Sequence, residues 1–419
     1  MGLHKMEKTK EIFKTSIEYT KAFLKWVVVA TLVGIAGGVV GSAFHKCLDF
    51  VTKFRMDNTY ITYFMPVGVV IIIAMYSIFS KKEKLDINLV ITSVKEGEKI
   101  PFVLVPLIFI ATSVTQFFGG SAGREGAALQ IGGGIGYNLG KLFRLEKNDI
   151  RLITMAGMSS VFTALFGTPL TAAVFSLEVA RVGAFNLTGL MPCVVASAVT
   201  SVVSAFFGVK ETVISDMVIE DTTTLMFCKV IILAILCALV GTLFLYAIKK
   251  SEKIMKKLFK NPYLRGVVGA LIVVLLTVLS GTFDYNGAGM NIVERALSGE
   301  ARTYDFIMKI IFTAITIAAG FKGGEIVPAF FVGSTFGCII GPLLGINGAL
   351  SAAIGMVVVF CGVVNCPLAS IILSIEMFGT DNLLLFAIAC GVGYMMSGHT
   401  GLYKSQDILY SKLTADVVE

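Results

Sequence analysis

Five stretches of the chain, residues 26–44, 64–79, 102–118, 225–248 and 267–279, run apolar with Lys229 as their one charged side chain. A hydrocarbon core about 30 Å thick demands such runs of a spanning helix, and no water-soluble fold has a use for so many. The whole chain agrees, with 56% hydrophobic residues and only 15% charged ones, where a soluble domain carries roughly 25% charged. A water-soluble enzyme, a nucleic-acid binder and a disordered protein are thereby set aside. The sequence predicts an all-α polytopic membrane protein, with the lipid bilayer as its surroundings.

The net charge of +7 says less than its placement. Lys5, Lys8, Lys10, Lys14, Lys21 and Lys25 precede the first span, and Lys249, Lys250, Lys253, Lys256, Lys257, Lys260 and Arg265 fill one interior segment. Both are expected to be cytoplasmic by the positive-inside rule. The segment from Glu211 to Asp221 carries Glu211, Asp216, Glu220 and Asp221 with no Lys or Arg, and is expected outside. Residues 1–23 lack the pattern of a cleavable signal and are expected as an amphipathic helix on the cytoplasmic membrane surface.

Cys47, Cys193, Cys228, Cys237, Cys338, Cys361, Cys366 and Cys390 lie in or beside apolar segments and form no CxxC pair. They read as small buried hydrophobes. With His4, His45 and His399 as the only histidines, no metal site and no cofactor are expected.

A repeat organises the rest. Gly157-Met158, Pro169-Leu170 and Glu178 recur as Gly355-Met356, Pro367-Leu368 and Glu376, displaced by 198 residues. Before each copy lies a glycine-rich turn with an acid, GGSAGREGAALQIGG around Glu125 and GFKGGEIVPAFFVG around Glu325. The chain divides into a first repeat, 24–208, an external linker, 209–223, a second repeat, 224–398, and a cytoplasmic tail, 399–419. With the cationic start inside and the linker outside, the second repeat is inverted. The regions 119–140, 157–178, 320–341 and 355–376 read as half-length helices, and inverted repeats with broken helices are a transporter architecture with its site near the midplane.

In Gly119-Gly120-Ser121-Ala122-Gly123-Arg124-Glu125-Gly126 the glycines leave amide groups unblocked at the start of the next helix, a place that suits an anion. Glu125 sits in that turn in apolar surroundings, where a carboxylate is costly and functional by default. Charged, it can occupy the anion's own place; protonated, it can leave, so one side chain serves as gate and proton carrier. The plainer alternative is a salt bridge to Arg124 that ties the turn.

These segments resemble the CLC chloride channel and transporter family. GGSAGREGAALQIGG is similar to the family signature GREGP, which places the gating glutamate at Glu125, flanked by Gly123, Arg124, Gly126 and Ala127. Glu325-Ile326-Val327-Pro328 resembles the GxFxP loop, whose amides face the anion, and Gly401-Leu402-Tyr403 resembles the place of the anion-contacting tyrosine, Tyr403. The GSGIP loop falls at Leu85-Asp86-Ile87-Asn88-Leu89, which has no Ser, Gly or Pro; there Asp86 is also a good N-cap for a helix beginning at Ile87. The resemblance covers roughly residues 24–410. It implies a CLC-type inverted-repeat fold with broken helices meeting at the membrane midplane, a homodimer in the cell membrane, and an anion held by Asp86, Ile87, Asn88, Gly123, Arg124, Gly126, Ala127, Glu325, Ile326, Val327 and Tyr403. Chloride is the expected anion, moved through a pore or exchanged for protons. GTPL at 167–170 and GFKGGE at 320–325 look more like the fluoride-exporting branch, so a fluoride/proton antiporter is the alternative. The internal proton-transfer glutamate of many family antiporters is Val179 here, a departure that the fluoride branch shares.

Two patterns point elsewhere. Gly119-Gly120-Ser121-Ala122-Gly123 fits the GxSxG elbow of serine hydrolases, for which an intramembrane hydrolase requires a partner such as His399. GGGIGYNLG at 132–140 imitates a dinucleotide loop, but that fold needs a soluble βαβ unit, and helix-packing glycines fit better. Lys322 reads as a loop-end lysine. No enzyme activity is expected.

Overall fold

A computed structural model describes residues 2–80, 85–209, 219–220, 223–414 and 416–417, with side chains from residue 16 onward. Glu211, Asp216 and Asp221 of the expected external linker lie outside the described residues.

Sixteen α-helices are described, eight in each repeat. The first eight are α1 (Gly2–Asp57), α2 (Met65–Phe79), α3 (Ile87–Glu96), α4 (Leu104–Phe117), α5 (Glu125–Leu142), α6 (Lys147–Phe166), α7 (Pro169–Glu178) and α8 (Leu190–Phe206). Their counterparts are α9 (Thr224–Leu258), α10 (Pro262–Ser280), α11 (Met290–Leu297), α12 (Asp305–Ala319), α13 (Ile326–Leu343), α14 (Gly348–Val364), α15 (Pro367–Phe378) and α16 (Leu383–Met396). Among the described residues seven helical segments are long and apolar enough to cross a membrane. The fold is an all-α polytopic inverted repeat with broken helices.

Residues 2–23 continue without a break into the first span as α1, because nothing between Lys21 and Trp26 is a helix breaker. Two expectations need correction. The regions 119–140 and 320–341 do not hold half-length helices, since α5 and α13 run 18 residues each, whereas 157–178 and 355–376 do break, with α7 and α15 only 10 and 12 residues long. The glycines of α5 and α13 bring helices together rather than ending them: a methyl on Gly132 would stand 2.1 Å from the carbonyl oxygen of Gly157, and one on Gly333 would stand 2.3 Å from that of Gly355. Small residues at such crossings let backbones approach. Finally, six of the eight cysteines are buried, but Cys228 is exposed on α9.

The true breaks come at the prolines. Between α6 and α7, Gly167 has φ of 68°; between α14 and α15 the matching residue is Asn365, with φ of 56°. In each repeat a left-handed residue ends one helix and a proline two residues later starts the next, where its missing N–H costs nothing. The free amides at these two new N-termini are satisfied across the repeats. Glu376 accepts the N–H groups of Leu170 and Thr171, both at 2.8 Å, and Glu178 accepts those of Leu368 and Ala369 at 3.2 and 2.9 Å. Each repeat's closing glutamate therefore caps the other repeat's short helix, which explains why the spacing from proline to glutamate recurs. Glu376→Ala is expected to lower stability by about 2 kcal/mol, the scale of hydrogen bonds to a charged group. The midpoint of thermal unfolding in detergent checks this, and an unchanged midpoint would show that the cap contributes nothing.

The tail folds back on the bundle. Residues Asp407–Ile408 (β2) pair in parallel with Arg181–Val182 (β1) just after α7, and Gln406 Nε2 donates to the carbonyls of Val179 and Val364 at 3.1 and 2.8 Å. Tyr403 is delivered to the interior by this anchored segment, with 5% of its surface exposed.

Candidate functional site

The glycine-rich loops before α5 and α13 meet at the pseudo-symmetry axis. Gly123 N–H donates to the Gly324 carbonyl at 2.6 Å, and Gly324 N–H donates back to the Gly123 carbonyl at 2.9 Å. Glu125 opens α5 beside this bridge and is fully buried. A methyl on Gly123 would stand 2.2 Å from Glu125 Oε2, and one on Gly324 would stand 2.5 Å from the same oxygen. The glycines of both loops are thus required by the space that the carboxylate takes.

Neither oxygen of Glu125 has a hydrogen-bond partner of ordinary geometry, although the backbone N–H groups of Arg124, Glu125 and Val327 face it. Arg124 does not pair with it: its guanidinium turns to Asp49 at 3.4 Å and to the Leu165 carbonyl at 3.3 Å. The salt bridge across the turn is therefore absent, and the carboxylate lies loosely held among backbone amides of both repeats. Such a group can be replaced by an anion.

Two sets of cavities approach Glu125 and share no lining residue. One, of about 320 Å³, is bounded by the end of α9 and lined by Asp86, Ile87, Asn88, Gly126, Glu325 and Tyr403. It adjoins a wider basin of about 910 Å³. The other, of about 780 Å³, is bounded by the end of α1 and lined by Arg124, Gln116 and Asp49 among others. Arg124 and Gly126 face opposite cavities, and Glu125 between them lines neither.

Of the residues expected to hold an anion, six line the α9-side cavity together. Arg124 lies on the opposite side because Asp49 draws it there. Gly123 is spent on the bridge to Gly324, and Ala127, Ile326 and Val327 are buried in the first turns of α5 and α13 and line neither cavity. Asp86 acts as the N-cap of α3, with Oδ1 accepting the N–H groups of Asn88 and Leu89 at 3.0 and 3.3 Å. Asn88 Oδ1 in turn accepts the Ser405 N–H at 3.1 Å and holds the tail. Lys322, expected as a plain loop end, is half-buried with its ammonium 4.4 Å from the Tyr76 ring centre, at the wall of the same cavity. Val179 is buried, so no carboxylate stands there, and Glu178 is committed to its cap on α15.

The hydrolase pattern has no partner of the kind it needs. Ser121 Oγ pairs with Thr313 Oγ1 at 3.0 Å, and His399 Nε2 accepts the Lys412 N–H at 3.2 Å. Among the described residues no group of three His, Cys, Asp or Glu side chains could hold a metal ion.

Lys309 escaped the sequence reading. It is fully buried on α12, with Nζ donating to the carbonyls of Gly287 and Tyr285 at 2.7 and 3.2 Å, and the charges facing it are Arg55 and Glu125. A lone lysine in DFIMKIIFTAI is a sequence signal in its own right, since an ionisable residue in an apolar run is functional by default.

Comparison with known proteins follows this geometry. The model of the family described as voltage gated chloride channel matches residues 67–398. A chloride/fluoride channel protein of Pseudomonas syringae pv. tomato is 36% identical over 397 residues, covering 93% of this chain and 87% of the relative. An H(+)/Cl(-) exchange transporter of Vibrio cholerae is 24% identical over 420 residues, covering 92% and 88%. Among solved structures, a CLC-type fluoride/proton antiporter superposes with a TM-score of 0.89 at 33% identity, covering 92% of this chain and 98% of that one. A slow cyanobacterial Cl-/H+ antiporter superposes with a TM-score of 0.78 at 19% identity, covering 89% and 94%, a likeness of fold.

Proposed function

This chain belongs to the voltage gated chloride channel family, and from that premise we propose that it carries a small anion across the membrane in exchange for protons, with Glu125 as both gate and proton carrier. One observation carries the reading: Arg124 and Gly126 face separate cavities while the Glu125 carboxylate, without a hydrogen-bond partner of ordinary geometry, stands between them. Protonation removes the charge that suits the amide cradle, and an anion takes its place. The anion approaches past Tyr403 and the α3 and α13 starts, where Lys322 adds positive charge.

Exchange without a carboxylate at Val179 needs another acid toward the cytoplasm. Glu325 meets the requirement: it lines the α9-side cavity and stands close enough to Glu125 for the two carboxyl groups to interact. Protons then pass between Glu325 and Glu125.

Chloride is the anion of this reading. Fluoride is the second, favoured by two relatives above 30% identity whose descriptions name fluoride. Purified protein in liposomes, given a chloride or a fluoride gradient while external pH is followed, separates the readings. Uphill proton movement driven by one anion identifies that anion. Anion flux with no proton movement under either gradient would leave a passive channel.

In the bilayer the chain is a homodimer with both ends and residues 249–265 cytoplasmic, following the lysine placement. In a cysteine-free background an impermeant thiol reagent is expected to label Lys253→Cys only in inverted vesicles, and labelling in right-side-out vesicles would reverse the orientation. Particle mass in detergent reads the dimer.

A further inference from the structure

We propose that the cavity at the end of α1 contains a second anion site, in which Arg55 and Thr62 hold the transported anion before it reaches Glu125; this rests on the reading of the chain as an anion transporter. Both side chains line that cavity and are more than nine-tenths buried, Arg55 with 7% and Thr62 with 1% of its surface exposed. Neither is spent on the protein. Arg55 forms no salt bridge among the described residues, and its Nη1 and the Thr62 hydroxyl are buried without a hydrogen-bond partner. A buried guanidinium left unpaired is costly, and an anion is the ligand that relieves it.

The two groups converge beside Gly119. The point where a side chain would begin on Gly119 lies 3.1 Å from Thr62 Oγ1 and 3.2 Å from Arg55 Nη1. A side chain on Gly287 would meet both terminal nitrogens of Arg55, at 2.7 and 2.8 Å. Both glycines adopt positive φ, and Gly287 N–H donates to the Gly119 carbonyl at 3.1 Å. Two left-handed glycines locked to each other thus give the fork of the arginine room to pack against the backbone. The loop after α4 runs from Gly119 directly to Glu125, and Lys309 donates to the Gly287 carbonyl, so a second buried cation stands beside the site.

The acids in the cavity leave the site to an anion. Asp49 is engaged by Arg124 and His45, and Asp284 by Arg302. Asp57 and Glu294 also line the cavity, but neither bonds to Arg55. A small monovalent anion, chloride or fluoride, matches a guanidinium fork joined by one hydroxyl donor. Held there, it waits one step outside the gate and raises the local anion concentration.

The test measures initial uptake of chloride and of fluoride against concentration in right-side-out and inverted membrane vesicles. In right-side-out vesicles Arg55→Gln is expected to raise the half-saturating concentration about tenfold, the scale of one charge-assisted hydrogen bond. Thr62→Val, nearly isosteric and stripped of its donor, is expected to raise it about threefold. In inverted vesicles both variants are expected to match the unaltered protein. Equal shifts on both faces would reveal a merely structural role, and no shift on the α1 side in a folded Thr62→Val protein would remove the site even if Arg55→Gln fails to fold. Unaltered protein that moves neither anion would overturn the transport reading instead.

Discussion

In Glu125→Gln, anion flux is expected to persist or rise while proton movement falls at least about 100-fold, the scale on which a positioned acid or base contributes. Gln keeps the shape of the side chain but imitates the protonated carboxylate, so the charge that competes with the anion for the backbone amides of Arg124, Glu125 and Val327 is gone. The sign of the pH dependence follows. In the unaltered protein low pH favours the protonated side chain and frees the cradle, so flux rises as pH falls. In the variant nothing at this position titrates, and the profile flattens. Proton uptake and anion efflux from the same liposomes check both. A variant that retains the full pH dependence would move the gate to another group, with Glu325 the next in line.

Gly324→Ala is expected to reduce anion flux about 100-fold or more, with or without loss of folded protein. The added methyl would stand 2.5 Å from Glu125 Oε2 and 2.6 Å from the Gly126 backbone nitrogen. The carboxylate can swing away from such a contact, but the backbone cannot, because Gly324 is hydrogen-bonded in both directions to Gly123. Either the bridge breaks or α5 is displaced, and in each case the two repeats no longer present their amides to one place. The loss is therefore expected to persist in the double variant with Glu125→Gln, unlike a defect that acts through the carboxylate alone. Gly391→Ala is the control, since nothing lies within 4 Å of the added methyl there. Normal flux in Gly324→Ala would show that the bridge is dispensable.

The amino-acid sequence by itself determined the membrane class, the two-fold repeat, the glycine-rich turns and the identity of Glu125 as the costly buried acid. Each of these is written locally. An apolar run declares a span, a proline declares a helix start, and a carboxylate among glycines and apolar residues declares itself by the cost of burying it. The repeat displaced by 198 residues was legible for the same reason, since it is a comparison of one local pattern with another.

Tertiary structure alone decided which of those features meet. The recurring glutamates were visible as spacing, but nothing local says that Glu178 caps α15 and Glu376 caps α7; that exchange exists only because two inverted halves pack about an axis. Arg124 and Glu125 look like an ion pair in sequence and are not one, because Asp49, 75 residues away in the chain, takes the guanidinium. The same holds for Arg55 and Thr62, which are brought together by packing against glycines from both repeats. Helical periodicity constrains which face of a segment is buried, whereas the partner that buries it is set by packing between segments far apart in sequence, and the chemistry of this protein lies at those crossings.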